Sequence, residues 1–446
     1  MSEQDPKTIT RRRLLLTAGA AAGSTAILAS TLPFRSAFAA APPQVKVGMF
    51  APYTGSAAEF GAFYEAGVQL AVDQVNKAAE KILGGPIIKQ LLAVDTGTLP
   101  APGIAAVKKL IQAHRVPVVI GGWSSGVTVA VATSATLPAG VLQVGYGATS
   151  PLITVLPKDR TRDLLFRTTA SDALQGRVAA LLAAGEIVPN YKHKTAATVY
   201  INNPYGQGLS SAFARTFRQQ GGIIHAQVPH PEKIQPTYKS ELAYALKDKP
   251  DLLFIPSYPS HTSVLLNESR DVFGFTKWQL SDGNKSSQVI EAVGANSLQG
   301  VLGTAPGEDV NAPAYRGFKK NYGKDRIPPF TNSAYDAGAI VALAIAKAVI
   351  DGDISDPDAV TGRVIRDQLR AVANPPGADI AIGSQESINH ALEMIKQGRD
   401  INITGAAGPD DFDEHGDVVT PYGIWQVKGK GFETIKLWPV EKIPEA

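Results

Sequence analysis

The sequence predicts an α/β fold of two lobes, each a parallel sheet covered by helices. Strand-like and helix-like segments alternate along the chain, which indicates parallel strands joined by helical crossovers. At 446 residues, with 44% hydrophobic and 19% charged residues, the chain is long enough for two or three domains and globular in composition. It has no internal repeat, no low-complexity tract and no long flexible linker. We therefore expect two lobes of similar size rather than a string of separate domains.

The first elements follow from hydrophobic periodicity. Positions 45–50 form a short apolar strand, and apolar residues at three- and four-residue spacing predict a helix over 58–81. Gly84-Gly85-Pro86 ends that helix. The next predicted elements are a strand at 88–95, a helix at 104–114, a strand at 117–120, a helix at 127–136 and a strand at 141–144.

The same alternation continues through the second half of the chain. Predicted helices cover 171–186, 208–219, 238–246 and 260–272, and predicted strands cover 196–201, 222–227, 251–256 and 278–280. Four more helices are predicted at 314–322, 333–350, 360–372 and 385–397. The carboxyl end differs, because 422–427 and 432–437 are both short strands.

Charge and cysteine content exclude several classes of function. Five of the 43 basic residues but only two of the 40 acidic ones lie in the first forty positions, so the remaining chain has a net charge near zero. A near-neutral chain without a basic run is poorly suited to a phosphate backbone, and we expect no nucleic-acid partner. The absence of cysteine excludes disulfides, thiolate metal sites, cysteine nucleophiles and a lipid-anchored cysteine.

Residues 1–39 have the pattern of an export signal. Thr10-Arg11-Arg12-Arg13 precedes a mildly apolar run rich in Ala and Gly, and Ala37-Phe38-Ala39 is an A-x-A cleavage pattern. The stretch resembles a twin-arginine signal, with Thr for the usual Ser before the arginine pair. A membrane anchor is the alternative, weakened by the Gly and Ser residues of the run. The A-x-A pattern predicts cleavage near Ala39. No later segment approaches eighteen uncharged apolar residues, so we expect the cleaved protein in the periplasm.

Two neighbouring turns mark a predicted ligand-binding rim. The strand at 117–120 ends in the turn 121–126, and the strand at 141–144 ends in the turn 145–151. Turns at the carboxyl ends of neighbouring parallel strands lie side by side, and such rims bind ligands. The two turns are therefore expected to form one site.

The composition of these turns predicts the chemistry of the ligand. Neither contains Lys, Arg, His, Asp or Glu, but both offer backbone N–H groups, hydroxyls and the start of a following segment. Such a position favours an anion by about 0.3–2 kcal/mol, so a small carboxylate is expected to bind without a basic side chain. The alternative is that Ser124, Ser125 and Thr149 only cap helices.

Eight short motifs extend along the chain, each weak alone but specific in this order and spacing. They are Pro52-Tyr53-Thr54-Gly55, Gly121 to Gly126, Gly147 to Pro151, Phe166-Arg167-Thr168, Tyr205 to Gly208, Asp282-Gly283, Tyr335-Asp336-Ala337 and Phe412 to Asp417. With these motifs the chain resembles a type I periplasmic solute-binding protein, of the branched-chain amino acid (Leu/Ile/Val) group that serves ABC importers. The resemblance covers nearly all of the chain after the export signal.

The resemblance implies two Rossmann-like lobes joined by three hinge crossings. We expect the crossings near Phe166, Gly303 and Tyr422, so that 44–166 and 304–421 form lobe 1 while 167–303 and 422–446 form lobe 2. Ligand would bind between the lobes, and hinge closure would bury it.

The resemblance also implies roles for individual residues. Ser124, Ser125 and Thr149 would bind the ligand carboxylate through hydroxyl and N–H groups. The Gly147 carbonyl and the Asp282 carboxylate would receive an α-ammonium group, although Asp before Gly is also a common turn pair. The other expected contacts, which include the pocket-lining rings, are Phe60, Ala148, Tyr205 and Tyr258.

Two positions depart from the usual pattern of this group. Trp123 stands where small or aliphatic residues are frequent, and Tyr146 stands where Pro is frequent. Both adjoin the carboxylate turns, and a large flat ring there would narrow the cleft or stack on a flat ligand. The sequence therefore leaves an aromatic acid or an amide as alternatives to an apolar amino acid.

An esterase of the α/β-hydrolase type is the alternative from a different class. Gly122 to Gly126 matches G-x-S-x-G, with Ser124 as nucleophile, Asp336 as the acid and His390 or His415 as the base. Only two β–α units precede the motif, no HGGG-like segment precedes it, and neither histidine lies in a context typical of a catalytic base. We expect no enzymatic activity.

Metal and cofactor sites are not predicted. The seven histidines show no i, i+4 pairing, and the acidic turn from Asp411 departs from a calcium loop at His415 and Tyr422. No Gly-x-x-x-x-Gly-Lys-[Ser/Thr] phosphate loop occurs. The expected partners are therefore a small solute and a membrane permease, and the protein is expected to be a monomer.

Overall fold

A computed structural model describes residues 41–444. The predicted export signal and its cleavage site lie outside these residues. Within them the chain forms two large sheets with helices on both faces and a small third sheet, as the α/β prediction requires.

The strands are β1 (Val45–Ala51), β2 (Ile88–Asp95), β3 (Val118–Ile120), β4 (Leu142–Gly145), β5 (Leu165–Arg167), β6 (Thr195–Ile201), β7 (Ile223–His230), β8 (Leu252–Ile255), β9 (Trp278–Leu280), β10 (Leu302–Pro306), β11 (Ala378–Ala381), β12 (Ile401–Thr404), β13 (Tyr422–Lys428) and β14 (Gly431–Trp438).

Helices connect nearly all of these strands. They are α1 (Gly61–Leu83), α2 (Pro100–His114), α3 (Ser125–Val131), α4 (Leu137–Ala139), α5 (Pro151–Thr154), α6 (Asp172–Ala183), α7 (Pro204–Gln219), α8 (Lys239–Leu246), α9 (Pro259–Asp271), α10 (Ser287–Val293), α11 (Ala295–Leu298), α12 (Pro313–Tyr322), α13 (Thr331–Asp351), α14 (Gly362–Ala373) and α15 (Gln385–Lys396).

Lobe 1 is the five-stranded sheet with the helices that cover it. Its order is β2-β1-β3-β4-β5, and every pair of neighbours is parallel. Successive side chains of β3 point to opposite faces: Val118 and Ile120 pack in the cluster that includes α1 and α13, whereas Val119 packs in the cluster of α2 and α3. Because both faces are covered, these strands are continuously apolar, and their carboxyl ends form one rim.

Lobe 2 is the seven-stranded sheet with its helices, in the order β14-β13-β10-β9-β8-β6-β7. The β10–β13 and β13–β14 pairs are antiparallel and the other pairs are parallel. The predicted crossing near Gly303 lies within β10, which continues to Pro306, and the domain boundaries stay a prediction. A residue without a side chain is needed at position 303 because the Trp425 ring covers it: a Cβ there would lie 2.2 Å from Trp425 Cζ2.

The expectation that no later segment approaches eighteen uncharged apolar residues agrees with α13, because Asp336 and Lys347 interrupt its apolar run. By length and composition alone this helix is long and apolar enough to cross a membrane, and the mean hydropathy of its apolar window is 1.6. However, 94% of its apolar window is buried inside the protein. It is therefore the central helix of lobe 1, apolar all round because α1, α14 and the sheet surround it.

Candidate functional site

The turn after β3 lies where lobe 1 meets lobe 2. Ser124 caps α3, since its Oγ accepts a hydrogen bond from the Val127 N–H at 3.4 Å. The same oxygen accepts from the Tyr258 hydroxyl of lobe 2 at 3.1 Å. Both bonds use the oxygen of Ser124 as acceptor, so its own proton remains available to a ligand. Ser124 thus fulfils the cap alternative and also faces the other lobe.

The two rim turns are bonded to each other, as the shared site requires. The Ser125 Oγ accepts from the Ser150 N–H at 3.1 Å, and the Gly147 N–H donates to the Gly122 carbonyl at 3.3 Å. The Ser125 proton, like that of Ser124, is free to donate. Ser125 and the turn that carries Thr149 are therefore side by side, and this part of the rim offers donors.

The Thr149 hydroxyl offers an acceptor to a ligand, whereas the hydroxyls of Ser124 and Ser125 offer donors. Its hydroxyl donates to Asp172 Oδ2 at 2.9 Å, and the Asp172 N–H donates to the Thr149 carbonyl at 2.7 Å. With its proton directed at Asp172, the Thr149 oxygen can only accept a further bond. The hydroxyl therefore suits an ammonium or amide N–H, whereas the expected role for it was to bind the ligand carboxylate.

Asp282 begins the turn after β9 on lobe 2. Its Oδ1 accepts from Gln175 Nε2 at 2.7 Å and from the Tyr205 hydroxyl at 2.9 Å. The carboxyl is buried, and this burial raises its pKa to about 6, although the bonds from Gln175 and Tyr205 act in the other direction. Asp282 is therefore anionic at neutral pH and held in a fixed orientation.

Asp172 is a second buried carboxyl near Asp282. Burial raises its pKa well above the usual range, and the charge of Asp282 adds to this shift. Its Oδ1 has no hydrogen-bond partner among residues 41–444, and neither has Gln175 Oε1 or the Tyr64 hydroxyl. Gln175 Oε1 is an acceptor only, and Asp172 Oδ1 accepts when its carboxyl is ionised, so the cluster would be satisfied by a group that donates several hydrogen bonds.

A row of aromatic rings runs across the interface between the lobes. Neighbouring ring centroids lie 5.0 to 5.9 Å apart in lobe 1, 4.6 Å apart across the interface and 5.5 Å apart in lobe 2. The row runs from Tyr146 through Tyr64, Phe60, Trp123 and Tyr258 to Tyr205. The structure thus brings Phe60, Trp123, Tyr205 and Tyr258 together, as predicted from the sequence.

Tyr146 and Ala148 lie on the lobe 1 side of this row. The Tyr146 hydroxyl donates to the Phe50 carbonyl at 3.2 Å, and its ring packs on Tyr64, so its polar end is occupied within lobe 1. The Ala148 carbonyl accepts from Arg167 Nη1 at 3.3 Å. Both hydrogen bonds lie within lobe 1, and the ligand contacts expected of Tyr146 and Ala148 stay a prediction.

Arg167 holds the second rim turn in place. Its guanidinium pairs with both oxygens of Asp417 at 2.7 and 2.6 Å and also donates to the Ser150 carbonyl at 3.0 Å. The side chain is 1% exposed, so breaking this bidentate pair would leave a charge buried without its partner. Arg167 is thus a positioning residue, and its charge is not available to a ligand.

The residues of the hydrolase alternative do not come together. The hydrogen bonds of the Ser124 hydroxyl are to Val127 and Tyr258, and neither involves a histidine. Asp336 accepts from the N–H groups of Ala406 and Ala407, both at 2.7 Å. His390 and His415 are exposed. Residues 41–444 also contain no group of three or more His, Asp or Glu side chains that would hold a metal.

The sequence interpretation did not identify three polar groups of this site, which are Asp172, Gln175 and the Tyr64 hydroxyl. Asp172 and Gln175 lie on the first turn of α6 and point back into the site, and Tyr64 is one helical turn after Phe60 on α1. The one available signal was an acidic residue at the start of a helix, a common feature with a capping explanation.

Comparisons with known proteins agree with the geometry. A family model described as a periplasmic binding protein matches residues 44–432. The Leu/Ile/Val-binding protein BraC3 of Rhizobium johnstonii is 30% identical over 339 residues, which cover 75% of this chain and 87% of the relative.

Two solved structures share the fold. A leucine-binding protein, LivK, from Thermotoga maritima has a TM-score of 0.70 at 22% identity, with 89% of this chain and 99% of that chain covered. An ABC transporter solute-binding protein of R. palustris in complex with benzoate has a TM-score of 0.64 at 21% identity, with 89% and 97% covered. At these identities the two structures support the two-lobed α/β fold and nothing about the ligand.

Proposed function

This chain belongs to the periplasmic binding protein family, and on that premise we propose that it is the substrate-binding component of an ABC importer. It captures a small solute that carries a carboxylate and an amino group, an amino acid with an apolar side chain, between its two lobes. Closure around the solute produces the form that a membrane permease receives.

The opposed polarity of the two sides of the cleft supports this proposal. Ser124 and Ser125 offer hydroxyl donors beside the amino end of α3, which suits a carboxylate. Thr149, Asp172 and Asp282 offer acceptors and negative charge, which suits an ammonium group. A zwitterion satisfies both ends, and the row of rings provides an apolar wall for its side chain.

The name of the relative points to the same class of ligand, since BraC3 is described as Leu/Ile/Val-binding. An aromatic acid is the second candidate, supported by the ring-lined cleft and by the benzoate bound to the R. palustris protein. Such an acid has no ammonium group, so the buried acceptors of Asp172 and Gln175 would stay unpaired. An amide would satisfy part of them. The amino acid is therefore favoured.

Calorimetry on the purified chain tests the proposal. We expect alanine, valine, leucine or isoleucine to bind, and benzoate and benzamide to bind more weakly or not at all. Ligand at 100 times its Kd should stabilise the fold by about 2.7 kcal/mol. Tight binding of benzoate together with no binding of any amino acid would contradict the proposal and support the aromatic acid.

The remaining parts of the proposal concern export, assembly and catalysis. The protein leaves the cytoplasm by the twin-arginine route with cleavage near Ala39, acts as a monomer and turns over no substrate. Arg11→Lys with Arg12→Lys should retain the precursor in the cytoplasm, and light scattering should give the mass of one chain. Hydrolysis of p-nitrophenyl esters that is abolished by Ser124→Ala would contradict the non-enzymatic role.

A further inference from the structure

The indole of Trp123 occupies the interface between the lobes. The residue is 5% exposed, and its ring centroid lies 4.6 Å from that of Tyr258 on lobe 2 and 5.5 Å from that of Phe60 on lobe 1. Rings at these separations are in direct contact. The ring of Trp123 therefore fills space that a smaller residue would leave to a ligand.

The indole also lies against the second rim turn. A Cβ placed on Gly147 would be 2.8 Å from Trp123 Cδ1 and 3.3 Å from Phe330 Cγ. Gly147 is thus covered on this side by two aromatic rings, and only a residue without a side chain fits. Trp123 bridges the turn that carries Thr149 to the Tyr258 ring.

The aromatic neighbours of Trp123 are held in place by their own hydrogen bonds and ring contacts. The Tyr258 hydroxyl donates to Ser124 at 3.1 Å and accepts from Asn203 Nδ2 at 3.2 Å, and its ring is stacked on Tyr205 at 5.5 Å. Phe60 is 1% exposed and packs on Tyr64 at 5.9 Å. A packed aromatic wall of this kind yields little to an extra methylene group.

We propose that Trp123 sets the size limit of the pocket, so that this protein selects the compact end of its ligand class: glycine, alanine or valine before leucine and phenylalanine. The inference rests on the proposed function for the kind of ligand, but the size limit is independent of the head group. A hydrophobic pocket typically discriminates one methylene group by about 10-fold or more, so a ring that removes several methylene positions should produce a clear order.

The experiment is a calorimetric titration of two graded series against three proteins. The amino acid series runs from glycine through alanine, valine and leucine to phenylalanine, and the carboxylate series runs from acetate through hexanoate to benzoate. The proteins are the wild type, Trp123→Leu, and Trp278→Leu as a matched control. Trp278 is a buried tryptophan of lobe 2 that donates to Ser269 and packs in the core behind β9.

We expect wild type to prefer alanine over leucine by about 10-fold, and Trp123→Leu to shift that ratio by about 10-fold or more toward leucine. Trp278→Leu should lower the melting temperature and keep the wild-type order. If Trp123→Leu does not fold, Trp123→Phe should produce a smaller shift in the same direction. An unchanged ratio in the Trp123 variants would overturn the inference, as would a wild type that binds leucine and phenylalanine as tightly as alanine.

The two proposals fail in different ways. If carboxylates bind and amino acids do not, the proposed function is wrong, but the size ratio within the carboxylate series still decides the role of Trp123. If amino acids bind without the expected size order, the proposed function stands and the size limit is wrong. Binding of no member of either series would overturn both.

Discussion

Two pairs of buried carboxyls differ in where they lie. Asp172 and Asp282 lie at the interface of the lobes, beside Thr149 and Tyr205, and Asp172 Oδ1 has no hydrogen-bond partner within 41–444. Asp336 and Asp410 lie within lobe 1 and face each other across Gly405, where a Cβ would be 2.5 and 2.3 Å from their Oδ2 atoms. Burial raises the pKa of all four, to about 7 for Asp336.

The comparison shows that a raised pKa does not by itself identify a binding site. Asp336 directs its oxygens at the N–H groups of Ala406 and Ala407, so its hydrogen-bonding capacity is used to fix a loop of its own lobe. Asp172 and Asp282 are oriented by neighbouring side chains but keep acceptor capacity where two lobes meet. Asp410 Oδ2 is also unpaired within 41–444, so the position at the interface between the lobes is what distinguishes the first pair.

The largest expected effect is on binding, through Asp282. Asp282→Asn keeps the shape but removes the negative charge that faces the ammonium group, and we expect affinity for the best amino acid to fall about 100-fold. Asp410→Asn, the matched control from the other pair, should leave affinity unchanged. Calorimetry at pH 7.5 makes both measurements, and equal affinities for wild type and Asp282→Asn would refute the ammonium contact.

The raised pKa of Asp282 also predicts a pH dependence of binding. Since burial raises the pKa of Asp282 to about 6, the free protein is protonated there at lower pH and must lose a proton to accept an ammonium group. Affinity for an amino acid should fall up to about tenfold per pH unit below pH 6 and level off above it. In Asp282→Asn this slope should be reduced; an identical slope in both proteins would assign the titration to another group.

Thr149→Val should have the next largest effect. Valine has nearly the same shape but cannot donate to Asp172, which then loses a hydrogen bond in a buried position. We expect an affinity loss of about 10-fold and a lower melting temperature. Thr198→Val, which breaks a buried hydroxyl contact with Ser210 inside lobe 2, is the control for the loss of stability alone. A Thr149 variant that behaves like this control would place Thr149 outside the site.

Asp336 and Asp410, the pair within lobe 1, should affect stability rather than binding. The pKa of Asp336 in the folded chain, about 7, exceeds the ordinary value, so its contribution to stability is fully present below about pH 4 and is lost as the pH rises through 7. Burial and the charge of Asp336 raise the pKa of Asp410, so folding at pH 8 must protonate this carboxyl; Asp410→Asn removes that cost and should raise the free energy of unfolding by about 1 kcal/mol at pH 8. Urea titrations at pH 5 and pH 8 measure this difference, and a variant less stable at pH 8 would contradict it.

The smallest effect is expected at a third acidic residue of the interface, which is fully paired. Glu59 of lobe 1 accepts from the Ser287 N–H of lobe 2 at 3.0 Å and from the Ser286 hydroxyl, and it pairs with Arg326 of its own lobe. Glu59 therefore links the two lobes. Glu59→Gln should weaken affinity about threefold through a faster dissociation rate, with the ligand order unchanged. Stopped-flow dissociation measures it, and a changed ligand order would mean that Glu59 contacts ligand.

Local patterns predicted most of the fold. The helix at α15 and the strands β9 and β13 agree with their predicted bounds to within a residue or so, because each has a regular apolar pattern and a clear end. The short strands β11 and β12 were missed: each has four residues and pairs only with the other, so periodicity is too brief to detect.

The sequence by itself determined the sheet class, the two rim turns and the polar character of their ends, because strand order along the chain and turn composition are local properties. Only the tertiary structure decided the direction of each hydroxyl proton, the return of Asp172 and Tyr64 to the site, and the wedging of Trp123 between the lobes. These depend on side chains far apart in sequence that meet at the interface. Their hydrogen bonds and ring contacts are set by what each residue faces, and sequence spacing does not encode that.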